Sequence, residues 1–237
     1  MSFDRLAPHY RWMEFLLAGE KLHRCRTTFL KEIPAARSIL LLGEGHGRGL
    51  VECCKRFPNA RITCLDASER MLTQARRQWS HHSLGATQVE FVHADVLNWT
   101  PTARVYDLIV THFCLDCFRA DQLAQITTRL VPFMTSHANW LIADFQMPPG
   151  GLKRIRSRMI LWTMYAFFRV TTELSAEKLV SPDPYVERAG FTLHRRAESE
   201  WGLLHSDWWI RTPLPSASSA HSAVKAPARI GNGQGRA

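Results

Sequence analysis

The sequence predicts an α/β fold with a mostly parallel sheet of seven strands, helices on both faces and a C-terminal antiparallel hairpin. Short apolar runs alternate with helical segments from Ser38 to about residue 145, a pattern typical of a parallel sheet covered on both sides. The first run, Leu40 to Leu42, leads directly into glycines at every second position. Two further runs, 191–196 and 203–210, can pair as the hairpin.

The elements follow in chain order. Residues 1–35 are expected to be helical, because apolar side chains recur at helical spacing until Pro34 interrupts the pattern. We then expect strands near 38–43, 61–66, 88–93, 105–112 and 138–145, and helices near 48–57, 68–80 and 120–132. Pro148-Pro149-Gly150-Gly151 ends this alternation, a helix is expected within 153–170, and another ends at Gly190.

These elements divide the chain into three parts. Residues 1–35 form a helical cap, and residues 36–212 form the main domain. Residues 213–237 are rich in Ser, Ala, Pro and Gly, so they bury too little apolar surface to order themselves and are expected to be a disordered tail.

Composition indicates a cytoplasmic protein with one folded domain. The 237 residues are 46% apolar, which is ample for a core. No run reaches the roughly 18 to 20 apolar residues of a membrane span, and the N-terminus lacks the apolar region of a signal peptide. Six cysteines, two of them adjacent and two inside expected strands, suit reduced core thiols. The net charge of +9 suggests anionic partners, but four of the excess cations lie in the segment from Arg211 onward, which has no acid.

The glycine loop indicates a nucleotide-type cofactor. Glycines permit a sharp turn and leave no Cβ between the backbone amides and a ligand. A dinucleotide fingerprint needs a third glycine that this chain replaces with Arg48 or Leu50, depending on where counting starts. The spacing Gly43-x-Gly45-x-Gly47 instead resembles the first motif of the class I S-adenosylmethionine-dependent methyltransferases, a Rossmann-like family.

This resemblance implies S-adenosylmethionine as the cofactor and assigns a set of residues to it. Asp66 ends the second strand, where the family's acid binds the ribose hydroxyls, and Asp95 ends the third, where an acid reaches the adenine amino group. Asp66 could instead cap the next helix, and Asp95 could form a turn. The cofactor-binding residues expected on this basis are Gly43, Glu44, Gly45, Gly47, Asp66, Ala67, Met71, Asp95, Val96 and Thr111.

One position departs from the family pattern. The family usually has an acid two residues before the first glycine, and this chain has Leu41 there. Glu44, inside the loop, is the candidate to take over part of that role, including contact with the amino group of the cofactor.

Candidate catalytic residues follow the fourth strand, where a substrate should enter. His112 is the first candidate base, because an imidazole with a pKa near 6.5 suits proton removal at neutral pH. Asp116 is the second, and either residue could instead be structural. The segment from Phe3 to Tyr10 resembles the opening of quinone-biosynthesis methyltransferases, in which an aromatic residue such as Tyr10 lies over the cofactor.

Two other chemistries are disfavoured. Cys114 and Cys117 have zinc-ligand spacing, but no second such pair exists, so no metal is expected. The fourth strand lacks the Asn/Asp-Pro-Pro-aromatic turn of relatives that methylate amino groups of bases or glutamine, which argues against nucleic acid as the substrate.

The segment from Lys153 to Arg169 places four cations before a dense apolar and aromatic run. Such a helix can lie on an anionic membrane surface, cover an apolar pocket as a lid over residues 152–180, or pack as an ordinary helix. These features predict methylation of a small, apolar or lipid-like molecule, with no obligate protein partner inferred. The alternatives are an RNA methyltransferase, a binding protein that has lost catalysis, and a nicotinamide oxidoreductase.

Overall fold

The computed structural model of the protein describes residues 19–82, 87–101, 105–171 and 179–212. The expectations for Tyr10, for the first 18 residues of the cap and for the tail after residue 212 lie outside the described residues. Among the residues described, no helix is both long and apolar enough to cross a membrane.

Seven strands form one sheet in the spatial order β3-β2-β1-β4-β5-β7-β6. The first five strands are parallel, and β7 runs antiparallel to both β5 and β6. This confirms the predicted fold class. The strands are β1 (Ser38–Leu42), β2 (Arg61–Asp66), β3 (Gln88–His93), β4 (Tyr106–His112), β5 (Met134–Phe145), β6 (Phe191–Ser199) and β7 (Leu204–Arg211).

Helices connect the strands close to the predicted positions. They are α1 (Gly19–Thr27), α2 (Arg48–Arg56), α3 (Glu69–His81), α4 (Ala120–Leu130), α5 (Gly151–Thr171) and α6 (Asp183–Arg188). The start of β5 differs from the prediction. The strand begins at Met134, and its register against β4 shifts between Tyr106 and Leu108. The entry of β5 is partly exposed, so the apolar pattern that marks a strand starts only at Ala138.

The central strands of the sheet are buried on both faces, as the apolar run of the first strand requires. In β1, Ile39 and Leu41 face a core shared with α2 and α3, whereas Leu40 and Leu42 face a second core shared with α4 and α6. This alternation follows from the two-residue period of a strand. All six cysteines are free thiols, as expected.

The strand order fixes where a ligand can bind. Chain order reverses between β1 and β4, which are hydrogen-bonded neighbours, and ligands of open α/β sheets bind in the crevice beyond the carboxyl ends of strands at such a reversal. The glycine loop follows β1, Asp66 closes β2 and His112 closes β4. The predicted functional residues therefore gather at one edge of the sheet.

Candidate active site

The glycine loop joins β1 to α2 through three residues in the left-handed region, Gly43, Gly45 and Gly47, with φ values of 63°, 66° and 94°. A Cβ at Gly43 would lie 2.4 Å from the Cys114 Sγ, and one at Gly47 would lie 2.7 Å from the Ala75 Cα. At Gly45, by contrast, no atom lies within 4 Å of the Cβ position. Two glycines therefore allow close packing, and the middle one leaves backbone facing open space.

Asp66 connects the loop to β2. Its Oδ2 accepts a hydrogen bond from the Gly45 amide at 3.1 Å, and its Oδ1 accepts one from the Ser68 amide at 2.9 Å. The helix-capping role belongs to Ser68, whose Oγ accepts from the Met71 amide at the start of α3. Burial raises the pKa of Asp66 to about 6. Each carboxylate oxygen keeps one lone pair, so the group can still accept two hydroxyls.

Glu44 has a different environment from the one expected. Its carboxylate turns inward, and Oε1 accepts a hydrogen bond of 2.5 Å from the Gly49 amide in the first turn of α2. The residue at the N-cap of α2 is Gly47, which has no side chain to satisfy these amides, so Glu44 supplies the acceptor. Burial raises its pKa. The structure thus shows Glu44 bound to the helix that follows the loop, and the contact with the cofactor amino group stays a prediction.

His112 lies beside Glu44 at the end of β4. The His112 Nδ1 is 4.0 Å from the Glu44 Oε2, both side chains are buried, and this nitrogen has no hydrogen-bond partner within the described part of the chain. Burial, together with the nearby Arg26 and His23, lowers the pKa of His112 to about 3. The imidazole is therefore neutral at physiological pH, so it can accept a proton but is a weak base in this state.

A buried pair of carboxyl groups lies beyond β4 and β5. Asp116 follows β4 in a short 3-10 helix, and its amide donates to the Asp144 Oδ2 at 3.2 Å. Burial raises the pKa of both groups, most strongly for Asp144, where the neighbouring Asp116 raises it further. Two neighbouring buried carboxyl groups disfavour each other's ionisation, so this pair holds a proton more tightly than exposed carboxyl groups do. Sequence reasoning selected Asp116 and missed Asp144, although an acid that closes an apolar strand was a usable signal.

A histidine and an aspartate extend this polar group on β7. His205 stands directly opposite Asp144 in the β5–β7 pair, which places both side chains on the same face of the sheet. The His205 Nδ1 donates to the Asp207 Oδ2 at 2.9 Å, and Arg196 binds both oxygens of Asp207 at 2.7 and 2.6 Å. Burial alone would raise the pKa of Asp207, but the bonds from Arg196 and His205 lower it. Neither His205 nor Asp207 was identified from the sequence, because strand pairing alone brings them to this edge.

Three predicted cofactor residues lie at or just after the ends of β3 and β4, and their side chains contact other parts of the protein. The Asp95 Oδ1 accepts from the Leu97 amide at 3.0 Å, which is the turn role considered as its alternative. Val96 is buried in the core beside α4. The Thr111 side chain is fully buried and accepts a hydrogen bond from the Trp140 indole at 3.1 Å, so only its backbone can reach a ligand.

The residues after Asp66 lie at the same edge. Ala67 is partly exposed, and its carbonyl is 3.1 Å from the His93 Nε2. Met71 is buried in the first turn of α3. Within the described ranges, no group of three or more His, Cys, Asp or Glu side chains is placed to hold a metal ion. Burial raises the pKa of the Cys114 and Cys117 thiols well above the ordinary value.

Comparison with known proteins identifies the domain. Residues 39–134 match the family model described as a methyltransferase domain. Over 139 residues the chain is 33% identical to trans-aconitate 2-methyltransferase of Streptomyces avermitilis, an alignment that covers 58% of this chain and 50% of that protein. Over 72 residues it is 36% identical to the tRNA1(Val) (adenine(37)-N6)-methyltransferase of Vibrio cholerae, covering 30% of each. The chain thus spans half or less of the length of these relatives.

A solved structure supports the same fold. An O-methyltransferase family protein from Burkholderia thailandensis superposes with a TM-score of 0.65 at 18% identity, covering 87% of this chain and 60% of that one. The fold and the glycine-loop site define a class I methyltransferase domain. Residues 39–134 thus carry a methyltransferase domain, which agrees with the resemblance to the S-adenosylmethionine-dependent methyltransferases that the sequence predicts. The quinone-biosynthesis subtype stays a prediction.

The residues present fit S-adenosylmethionine. Gly45 presents backbone to open space, and the Asp66 carboxylate retains hydrogen-bonding capacity beside it. The unpartnered Nδ1 of His112 adds a buried polar atom at the same edge. When bound, S-adenosylmethionine supplies a methyl group on a positively charged sulfur, which makes the methyl carbon electrophilic. Asp66 would hold the ribose and the glycine loop the adjoining part of the cofactor.

Proposed function

We propose that this chain is an active enzyme that transfers a methyl group to a small, apolar or lipid-like molecule. The observation that carries the proposal is an apolar cluster next to the polar edge of the sheet. Side chains from α1, β5 and α5 pack there, including Phe145, Leu161 and Met164. The Phe113 and Phe145 rings lie 5.2 Å apart between their centroids. The Phe113 ring is only partly buried where it packs against this cluster, so an acceptor bound at this edge would meet an aromatic surface, which favours an apolar molecule.

The chain's own part in the reaction is alignment and proton handling. Methyl transfer needs the acceptor atom in line with the methyl carbon and the sulfur, with water kept out. Buried side chains at this edge of the sheet can position the acceptor and keep water away from it. The Asp144 Oδ1 is buried without a hydrogen-bond partner among the described residues, so a hydroxyl of the acceptor would satisfy it. His112, neutral and buried, is the proposed base for the acceptor proton, and Asp116 is the second candidate.

The relatives support methylation but divide on the substrate. Trans-aconitate is a small molecule, whereas the Vibrio cholerae relative acts on a tRNA, as their names state. The segment after β4, His112-Phe-Cys-Leu-Asp-Cys117, lacks the turn expected of amino-group methylation. This favours the small molecule.

A labelling experiment tests the proposal. The chain is incubated with methyl-labelled S-adenosylmethionine and, in separate reactions, with phenols, quinols, thiols, lipid amines or total tRNA. Label that enters organic-extractable product in any of the first four reactions supports the proposal. Label that enters only tRNA would replace it with RNA methylation. Calorimetric binding of S-adenosylmethionine without transfer to any acceptor would favour a binding protein instead.

A further inference from the structure

The outward face of α5 is an apolar ridge. Four side chains spaced three or four residues apart lie on one side of the helix. Their exposed fractions are 80%, 60%, 66% and 72% for Leu152, Ile155, Met159 and Trp162, in that order. These four residues are called the α5 ridge below. Single exposed apolar residues are ordinary on a protein surface, but a continuous row of large ones marks an interaction site.

The ridge is not the packing face of the helix. α5 packs on the domain through the opposite side, where Ser157, Leu161 and Met164 are buried. Leu161 and Met164 belong to the apolar cluster with Phe145. The helix is therefore anchored by one apolar side and presents a second apolar side to the exterior.

Cations flank the ridge without any acid. Lys153, Arg154, Arg156 and Arg158 lie in the first half of α5, and the 21-residue helix contains no Asp or Glu. The Arg154 guanidinium donates to the Pro149 carbonyl at 3.1 Å, and Arg156 donates to the Glu200 carbonyl at 3.3 Å. An apolar ridge between cations is complementary to a surface that has anionic groups on the outside and an apolar layer beneath them.

A neighbouring turn adds an exposed aromatic ring. Glu200 and Trp201 both have positive φ values, 51° and 62°, in the turn between β6 and β7. Non-glycine residues in this region carry strain and mark functional positions more often than chance. The turn presents Trp201 with 63% of its surface exposed, and the Arg156 guanidinium lies 5.5 Å from the ring centroid.

We propose that the α5 ridge, its flanking cations and Trp201 form a docking surface for an anionic phospholipid membrane. Helices that lie in the membrane interface combine Trp and aliphatic side chains on one face with Lys and Arg beside them. Anionic headgroups attract the cations, and the ridge enters the boundary of the acyl chains. A second copy of this chain is a poorer occupant, because two such helices would place cations against cations. The surface does not depend on methyl transfer, so it goes beyond the proposed function.

Vesicle flotation of the full chain tests the surface. We expect binding to vesicles of phosphatidylcholine mixed with roughly 30% phosphatidylglycerol, because the negative surface potential of anionic lipid attracts the cations, and weak binding to pure phosphatidylcholine. Lys153→Gln with Arg158→Gln should weaken the partition coefficient by about 30-fold, from the contribution of two cations. Met159→Ser with Trp162→Ser should also abolish most of the binding. Equal binding of the wild type to both vesicles, or to neither, would overturn the proposal.

Matched controls separate docking from folding and from self-association. Arg77→Gln with Arg129→Gln removes two exposed cations from α3 and α4, and Val105→Ser removes an exposed apolar side chain before β4. These variants should bind vesicles like the wild type. All variants should keep the cofactor affinity, which separates this surface from the cofactor site. Concentration-dependent dimers in sedimentation velocity, lost in the Met159/Trp162 variant while vesicle binding is absent, would assign the ridge to a second copy instead.

Discussion

The carboxylate of Asp66 accepts the amide hydrogen of Gly45 at 3.1 Å, which ties the end of β2 to the middle of the glycine loop. Gly45 is also the loop position with open space in front of its backbone. The Asp66 side chain thus holds the glycine loop in place, and its contact with the ribose of the cofactor stays a prediction. This dual position makes Asp66 the most informative residue to change.

Replacing Asp66 by Ala should weaken binding of S-adenosylmethionine by roughly 1.5 to 3 kcal/mol, because charge-assisted hydrogen bonds are lost. Isothermal titration calorimetry measures this. Asp107→Ala is the matched control, since the Asp107 carboxylate also accepts two backbone amides, those of Arg37 and Ser38, at the start of β1. Unchanged affinity in the Asp66 variant would remove this residue from the site.

Cofactor affinity should fall as the pH drops through about 6. The pKa of Asp66 is raised to about 6, so below this pH the folded protein binds a proton there and loses an acceptor for the ribose. The loss should approach tenfold per pH unit well below 6. Titrations between pH 5 and 8 with S-adenosylhomocysteine test this, and an Asp66→Asn variant should show a flatter profile. A wild-type affinity independent of pH across this range would contradict the assignment.

Two glycine substitutions should have separable effects. Gly45→Ala fills the open side and strains a left-handed residue, so it should abolish cofactor binding at a cost of about 1 to 2 kcal/mol in the free energy of unfolding. Gly47→Ala should cost more than this, because its Cβ would meet the Ala75 Cα at 2.7 Å and backbone cannot yield easily. Thermal unfolding and calorimetry on both variants measure the difference. An equal loss of stability in the two variants would show that the loop shifts to accommodate the Cβ added at position 47.

Substitution of His112 by Ala should slow turnover by about 10²-fold or more if the imidazole removes the acceptor proton. Cofactor affinity should stay nearly intact. With a pKa of about 3, His112 is neutral at every pH above about 5, so the turnover rate of the wild type should show no acidic limb near 6.5 from this group. An unchanged rate in the variant, measured with an acceptor found by labelling, would assign His112 to packing.

Asp144→Asn should stabilise the protein at neutral pH. The raised pKa means that the folded state retains a proton which the unfolded chain releases above about pH 4, so wild-type stability falls as the pH rises from there. The Asn variant lacks this penalty, and each kcal/mol gained should raise Tm by about 2 to 4 °C. Melting curves at pH 4 and pH 7 give the comparison. Asp121→Asn, at an exposed carboxylate of α4, is the control and should give no such gain. A variant less stable than the wild type at pH 7 would mean that Asp144 is ionised and paired.

The sequence predicted the sheet because its signals are local. The runs 61–66 and 88–93 became β2 and β3 with the predicted bounds. β2 is buried from Ile62 to Asp66, whereas β3 is a partly exposed edge strand in which the apolar residues Val89, Phe91 and Val92 mark the strand. The glycine spacing and Asp66 were predictable for the same reason, because a tight turn and a strand-end acid are read within a few residues.

Polar contacts across the fold were not predictable. The hydrogen bond from the Gly49 amide to Glu44 is one example, because only the packed structure shows that Gly47 leaves the first amides of α2 without a side-chain cap and that the Glu44 carboxylate accepts one of them. Asp144 and His205 lie 61 positions apart in the chain and become neighbours through the antiparallel pairing of β5 with β7. No local pattern encodes that register.

The sequence by itself determined the class of fold, the glycine loop and the acid that follows β2, because backbone conformation and burial depend on residue type and spacing. Tertiary structure decided which titratable groups meet, how far their pKa values move, and which side of α5 stays exposed. Those properties depend on desolvation and on distances between remote segments, and both are set only when the sheet assembles.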